Sequence, residues 1–243
     1  MGESETAPMN AIYRAIFTRR DVRSEFLPRP VPAAVLARLL LAAHHAPSVG
    51  LSQPWRFILV KDPVQRGKVL DEFTETNSQA AQMFGRQRRA RYRAMKLEGI
   101  QDAPVNLCIV CERRADEPIL GGTHQPDTDV YSTVCAVQNL WLAARTEDIG
   151  VGWVSIMRPQ QLADILELPD SVLPIAYLCL GYVSHFRDRP ELEQAGWDSR
   201  RALASMLFSE RWGQPLEDDA LLTAVSEWSQ WPATIVGDAG KES

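Results

Sequence analysis

One stretch constrains the fold of this chain more than any other: DVYSTVCAVQNLWLAARTE, which reads as a helix from about Thr128 to Thr146. It carries apolar or small residues on nearly every side, and such a helix must be covered all round, in a core or at a subunit interface. It is the natural centre of the molecule. RFILVKD at 56–62, VNLCIVCE at 105–112, GVGWVSIM at 150–157 and PIAYLCLGYV at 174–183 read as strands. Helices are predicted at 10–20, in PVPAAVLARLLLAAHHAPS, over the polar stretch from Val64 to about Leu97 with a break at Gly85, and in RPQQLADILEL. Strands alternating with helices predict a layered α+β or α/β domain.

No Gly/Ser-rich linker and no fixed repeat divides the chain, so a single domain over 10–236 is expected, with a disordered tail at 1–9 and a frayed one at 237–243. With 45% hydrophobic and 23% charged residues, the 243-residue chain has the composition of an ordinary globular protein. The opening MGESETAPMN lacks the basic and apolar regions of a secretory signal. VLARLLLAA and VLPIAYLCLGYV fall short of the about 20 apolar residues that cross a bilayer. A cytoplasmic protein without membrane contact is the expectation. Cys108, Cys111, Cys135 and Cys179 all lie in apolar segments and read as reduced core thiols. Cys108 and Cys111, three apart on a strand, would face opposite sides, which argues against a shared metal.

Several function classes are excluded by what is missing. Neither GxGxxG after a strand nor GxxxxGK[ST] occurs, Ser155 stands in GWVSI rather than GxSxG, and His44, His45, His124 and His185 have no metal-ligand spacing. RQRRARYRAMK at 86–96 is strongly basic, but its side chains would fan around several helix faces in a chain of net charge −5. A solvated or lid-like helix is predicted there, with no nucleic-acid partner.

Two stretches admit two readings each. FTRRDVR at 17–23 is either a charged helix end, where arginines pair with local carboxylates, or a polyanion site whose planar guanidinium forks suit phosphate oxygens. APSVGLSQPWRF at 46–57 is an irregular segment forced by Pro47, Gly50 and Pro54. It is a simple loop, or one whose Ser48, Ser52, Gln53 and Trp55 meet the edge of a flat ring.

In combination, RRDVR, the APSxxxxQPWRF loop, the central helix and GWVSI, in this order, resemble the nitroreductase-like flavoprotein superfamily, and within it the BluB-type 5,6-dimethylbenzimidazole synthases, from about Asn10 to Leu203. Leu51 stands where ordinary nitroreductases often have Asn, and Asp21 makes RRD of their RRS. Both departures point to the synthase branch. The resemblance implies a three-layer fold, a mixed central sheet flanked by helices, in a subunit-exchanged homodimer with two FMN sites at the interface. Arg19, Arg20 and Arg23 would hold the FMN phosphate and ribityl chain, with the backbone around Val22 beside them. Ser48 would reach the flavin from the partner subunit, Ser155 would hydrogen-bond near flavin N5, and Arg200 or Arg201 would add a phosphate contact.

The implied activity is O2-dependent fragmentation of reduced FMN (FMNH2), which is both cofactor and substrate. The products would be 5,6-dimethylbenzimidazole, the lower ligand in cobalamin biosynthesis, with erythrose 4-phosphate and an alloxan-type remnant. A separate flavin reductase using NAD(P)H would supply FMNH2. Asp21 would sit over the reactive part as a general acid–base group, and 77–100 would form a lid excluding solvent, with Leu97 touching the flavin. Two other readings are an NAD(P)H-dependent nitroreductase or quinone reductase, including cob(II)yrinic acid a,c-diamide reductase, and a non-catalytic flavin-binding protein.

Overall fold

The computed structural model of the protein describes residues 11–113 and 118–229, so the expected tails at 1–9 and 237–243 lie outside the described residues. In chain order the main elements are α1 (Ala11–Thr18), α2 (Ala33–His44), β1 (Trp55–Leu59), α3 (Pro63–Gln82), α4 (Arg86–Ala94), β2 (Val105–Glu112), α5 (Thr128–Thr146), β3 (Ile149–Val154), α6 (Pro159–Ile165), β4 (Val172–Tyr182), α7 (Glu191–Gln194) and α8 (Asp219–Trp228). Asp62 caps α3 by accepting from Val64 N at 3.0 Å, and Pro63 follows at the first helical position, where its missing N–H costs nothing. The predicted break falls where expected: α3 ends at Gln82, and Gly85 stands at the N-cap of α4.

Contacts divide the chain into two compact units, residues 19–187 and the terminal segments. In the 19–187 unit the strands form one antiparallel sheet of order β1-β2-β4-β3. Among the described residues its parallel component is a single bridge, Asp21 to Val151, on the edge strand β3. A bulge lies in β4 at Ile175, since Ile109 pairs with Ala176 and Val110 with Pro174.

Strand alternation sorts the core into two clusters. Leu107, Ile109, Ala176, Leu178 and Leu180 face Leu39 and Ala43 of α2 and Val137 and Leu140 of α5. Cys108, Val110, Tyr177 and Cys179 face Val69 and Phe73 of α3 and Leu162 of α6. The result is three layers: α2 and α5, the sheet, then α3 and α6. Cys108 and Cys111 do diverge, for Cys111 hydrogen-bonds with Thr133 of α5 while Cys108 lies in the second cluster, where burial pushes its thiol up to about 12.

One expectation needs correction, and it lies on α5. α5 is covered on one face only within this chain: Val137, Leu140, Trp141 and Ala144 are buried, while Tyr131, Val134, Cys135 and Gln138 at helical spacing are exposed. Cys135 is therefore not a core thiol, because it sits on that outer stripe.

The terminal unit holds α1, α7, a 3-10 turn at Leu203–Met206 and α8. Phe208 bridges to Pro215 and lies 4.9 Å from the Trp212 ring, tilted by 50°, and α8 buries none of its residues. Among the described residues no helix is long and apolar enough to cross a membrane.

Candidate active site

The arginine segment is built onto the exposed edge of β3. Val22 N donates to Val151 O at 3.0 Å, and this close approach requires glycine at two alternate positions of the strand. A Cβ on Gly152 would stand 2.1 Å from Val22 O, and one on Gly150 would stand 2.4 Å from Val183 Cγ1 and 3.0 Å from Val22 Cγ2. Two glycines at i and i+2 share a strand face, so GVG opens a channel for another backbone. Val22 is buried in it.

Docking there fixes Asp21 at both oxygens. Oδ1 accepts from Trp153 N at 2.9 Å and Oδ2 accepts from Arg23 Nη2 at 2.5 Å. Asp21 remains about a third exposed, with the Arg23 side chain more deeply covered. Arg19 places its guanidinium 5.3 Å from the centre of the Trp141 ring, a cation–π distance. The Arg20 carbonyl accepts from Trp141 Nε1 at 3.3 Å, while Arg20 Nη1 donates to Arg19 O at 2.8 Å. Trp141 and Trp153 lie 6.5 Å apart, tilted by 49°. The segment thus sets Arg19 and the Arg20 carbonyl against Trp141 of α5, and the Asp21–Arg23 pair against the backbone of β3 at Trp153.

The other sequence-predicted residues lie elsewhere. Ser155 is exposed, the first residue beyond the last ladder pair, Val154 with Tyr177. Ser48 is half-buried in the loop after α2, where its Oγ accepts from Gln53 N at 3.1 Å and Val49 N donates to Ser132 Oγ at 3.1 Å. That loop is strained: Gly50, Leu51 and Gln53 have φ of 53°, 54° and 45°, and a left-handed conformation costs a non-glycine residue about 1–2 kcal/mol. Leu51 is 80% exposed at its tip. Leu97 is half-buried and packs against the second core cluster. Arg200 and Arg201 are exposed in the terminal unit.

Sequence reasoning gave no role to Trp141, Trp153 or the glycine pair, although GxGW carried a signal: glycines at period two in a strand mark close backbone approach. It also passed over Glu72. This α3 carboxylate, 6% exposed, accepts from Arg158 N and Nε at 2.9 Å each on Oε1, and from Arg158 Nη2 at 2.6 Å on Oε2. Thr76 adds a bond at 2.9 Å. Hydrogen bonding from Arg158 outweighs the desolvation that would raise it and holds Glu72 at about 2.

The family model for the nitroreductase family matches residues 16–182, from the end of α1 through β4. The chain belongs to the nitroreductase family. Among its curated relatives, the 5,6-dimethylbenzimidazole synthase of Rhodospirillum rubrum is 44% identical over 184 residues, covering 75% of this chain and 87% of that protein. The synthase of the same name from Rhodobacter capsulatus is 37% identical over 194 residues, 79% and 93% of the two chains. A solved structure of oxidized iodotyrosine deiodinase bound to FMN and 3-iodo-L-tyrosine shares the fold at a TM-score of 0.61 and 20% identity, covering 72% of this chain and 91% of that one. The β3 edge and its docked arginine segment lie inside the family match; Arg200 and Arg201 lie beyond it.

Proposed function

We propose that this chain is a 5,6-dimethylbenzimidazole synthase that takes reduced FMN and O2. The observation that carries the reading is Asp21, held between Trp153 N and Arg23 within an arginine block, in a chain 44% identical to a synthase of that name. The donor set suits FMN. Arg19 and Arg20 offer planar forks for a phosphate dianion, and the neighbouring indoles of Trp141 and Trp153 suit a flat ring. Bound reduced flavin would supply the electrons that react with O2 and the ring that becomes product.

The chain's own residues would then divide the work. Arg19, Arg20 and Arg23, with the Val22 backbone, bind the phosphate-bearing end. Asp21 moves a proton, its carboxylate aimed by the Trp153 N–H. Ser155 hydrogen-bonds near the ring, and Ser48 acts across a homodimer interface. The segment 77–100 closes over the site and excludes water, with Leu97 against the ring. A separate reductase delivers FMNH2.

The exposed α5 stripe supports the dimer, since Tyr131 and Val134 are 60% and 39% exposed on a helix whose other face is core. Val134→Arg should yield monomers by light scattering; an unchanged dimer would remove α5 from the interface.

The activity is tested by mixing protein anaerobically with chemically reduced FMN, admitting O2 and analysing products by mass spectrometry. 5,6-Dimethylbenzimidazole is expected. FMN recovered wholly intact would reassign the chain as a reductase, to be assayed with NAD(P)H.

A further inference from the structure

Ser155 has little to hold it in place. It follows β3, and residues 155–158 precede α6, whose N-cap residue Arg158 makes no side-chain capping bond. Ile156 and Met157 give partial apolar contact with the second core cluster. The directional anchor is at Arg158, which donates backbone N, Nε and Nη2 to the buried Glu72 and shares Nη2 with Glu75 at 2.9 Å. Glu72 is itself oriented by Thr76. Its helix, α3, continues through residue 82 into the first part of the expected lid.

We infer that Glu72 is a positioning residue: through Arg158 it fixes residues 155–158 on α3 and so sets where Ser155 stands. The inference rests on the proposed role of Ser155. A buried carboxylate is costly unless fully hydrogen-bonded, and apolar packing alone could anchor a loop. What a bidentate guanidinium–carboxylate fork adds is a fixed direction, and small displacements of a reacting partner cost rate steeply. The pair Arg38–Glu147, with bonds of 2.5 and 2.6 Å, has the same fork but joins the surface of α2 to the residue that follows α5. It serves as the control.

The test compares wild type, Glu72→Gln, Arg158→Lys, Ser155→Ala and Glu147→Gln. Hydrogen–deuterium exchange of the flavin-free proteins should show residues 155–158 exchanging about tenfold faster in Glu72→Gln, with β2 and β4 unchanged. In single turnovers with FMNH2 and O2, benzimidazole formed per flavin consumed should fall about fivefold in Glu72→Gln, with intact FMN and hydrogen peroxide rising to match. Arg158→Lys, which keeps the charge but not the fork, should fall between, and Glu147→Gln should match wild type. An unchanged product ratio in Glu72→Gln overturns the inference, whatever the exchange shows. If wild type makes no benzimidazole, the functional reading falls, and the spectrum of bound oxidised FMN decides instead. Equal shifts in Glu72→Gln and Ser155→Ala support positioning; a wild-type spectrum in Glu72→Gln overturns it.

Discussion

The two sides of the sheet are built differently. Toward α2 and α5 the sheet itself presents aliphatic side chains, Leu107 and Leu178 packed with Leu39 and Leu140, each wholly buried, while the buried hydroxyls of Ser132 and Thr133 bond to carbonyls of α5 itself. Toward α3 and α6 the sheet buries polar groups: Tyr177 donates to Asn106 Oδ1 at 2.9 Å, Asn106 donates on to Ile100 O at 3.1 Å, and Glu72 holds Arg158 nearby. The aliphatic side obtains its stability from area and tolerates small shifts. The polar side depends on direction, because a buried donor or acceptor that loses its partner is penalised in full. Residues 155–158 leave β3 on this second side, with Ile156 and Met157 against its cluster.

Substitutions can break or sharpen this contrast. Leu140→Ala, on the aliphatic side, should lose about 2–5 kcal/mol in denaturant unfolding, with proposed flavin binding spared in the folded fraction. Gly152→Ala should cost about 1–3 kcal/mol through overpacking against Val22 O and should also abolish FMN binding by pushing the arginine segment off β3. Gly67→Ala in α3, where nothing lies within 4 Å of the added carbon, should stabilise by about 0.5–1 kcal/mol. Equal effects of the two glycine substitutions would show that the β3 channel is not needed. Tyr177→Phe should cost about 1–3 kcal/mol by orphaning Asn106 Oδ1.

Acid supplies a further contrast. Because folding lowers Glu72 from 4.5 to about 2, its contribution is complete above pH 4.5 and is lost as pH falls toward 2. The stability gap between wild type and Glu72→Gln should close over that interval, and a gap constant down to pH 2 would contradict the assignment. The smallest effect belongs to Arg38→Ala, whose side chain is 55% exposed: below about 1 kcal/mol.

Long periodic segments were legible in the sequence. α5 and β2 span the residues predicted for them, since a 19-residue apolar helix and an eight-residue strand leave few other registers. The arginine block was legible as a polyanion candidate, but its platform was not, because Trp141 and Trp153 meet only after α5 has folded back over β3. Glu72 and Arg158 are 86 residues apart, and no local pattern links them. The predicted strand at 150–157 ran too long: the ladder ends at Val154, and Arg158 is held by α3 rather than β4. Cys135 was misplaced for a related reason, since an apolar neighbourhood in sequence does not distinguish a core face from an outer stripe.

The most direct measurement is a single turnover of Asp21→Asn beside wild type, with FMN affinity measured on both. Asparagine keeps an oxygen for Trp153 N but removes the charge facing Arg23. The account predicts FMN binding within about tenfold of wild type and no detectable 5,6-dimethylbenzimidazole. Benzimidazole formed by the variant at the wild-type yield would contradict it.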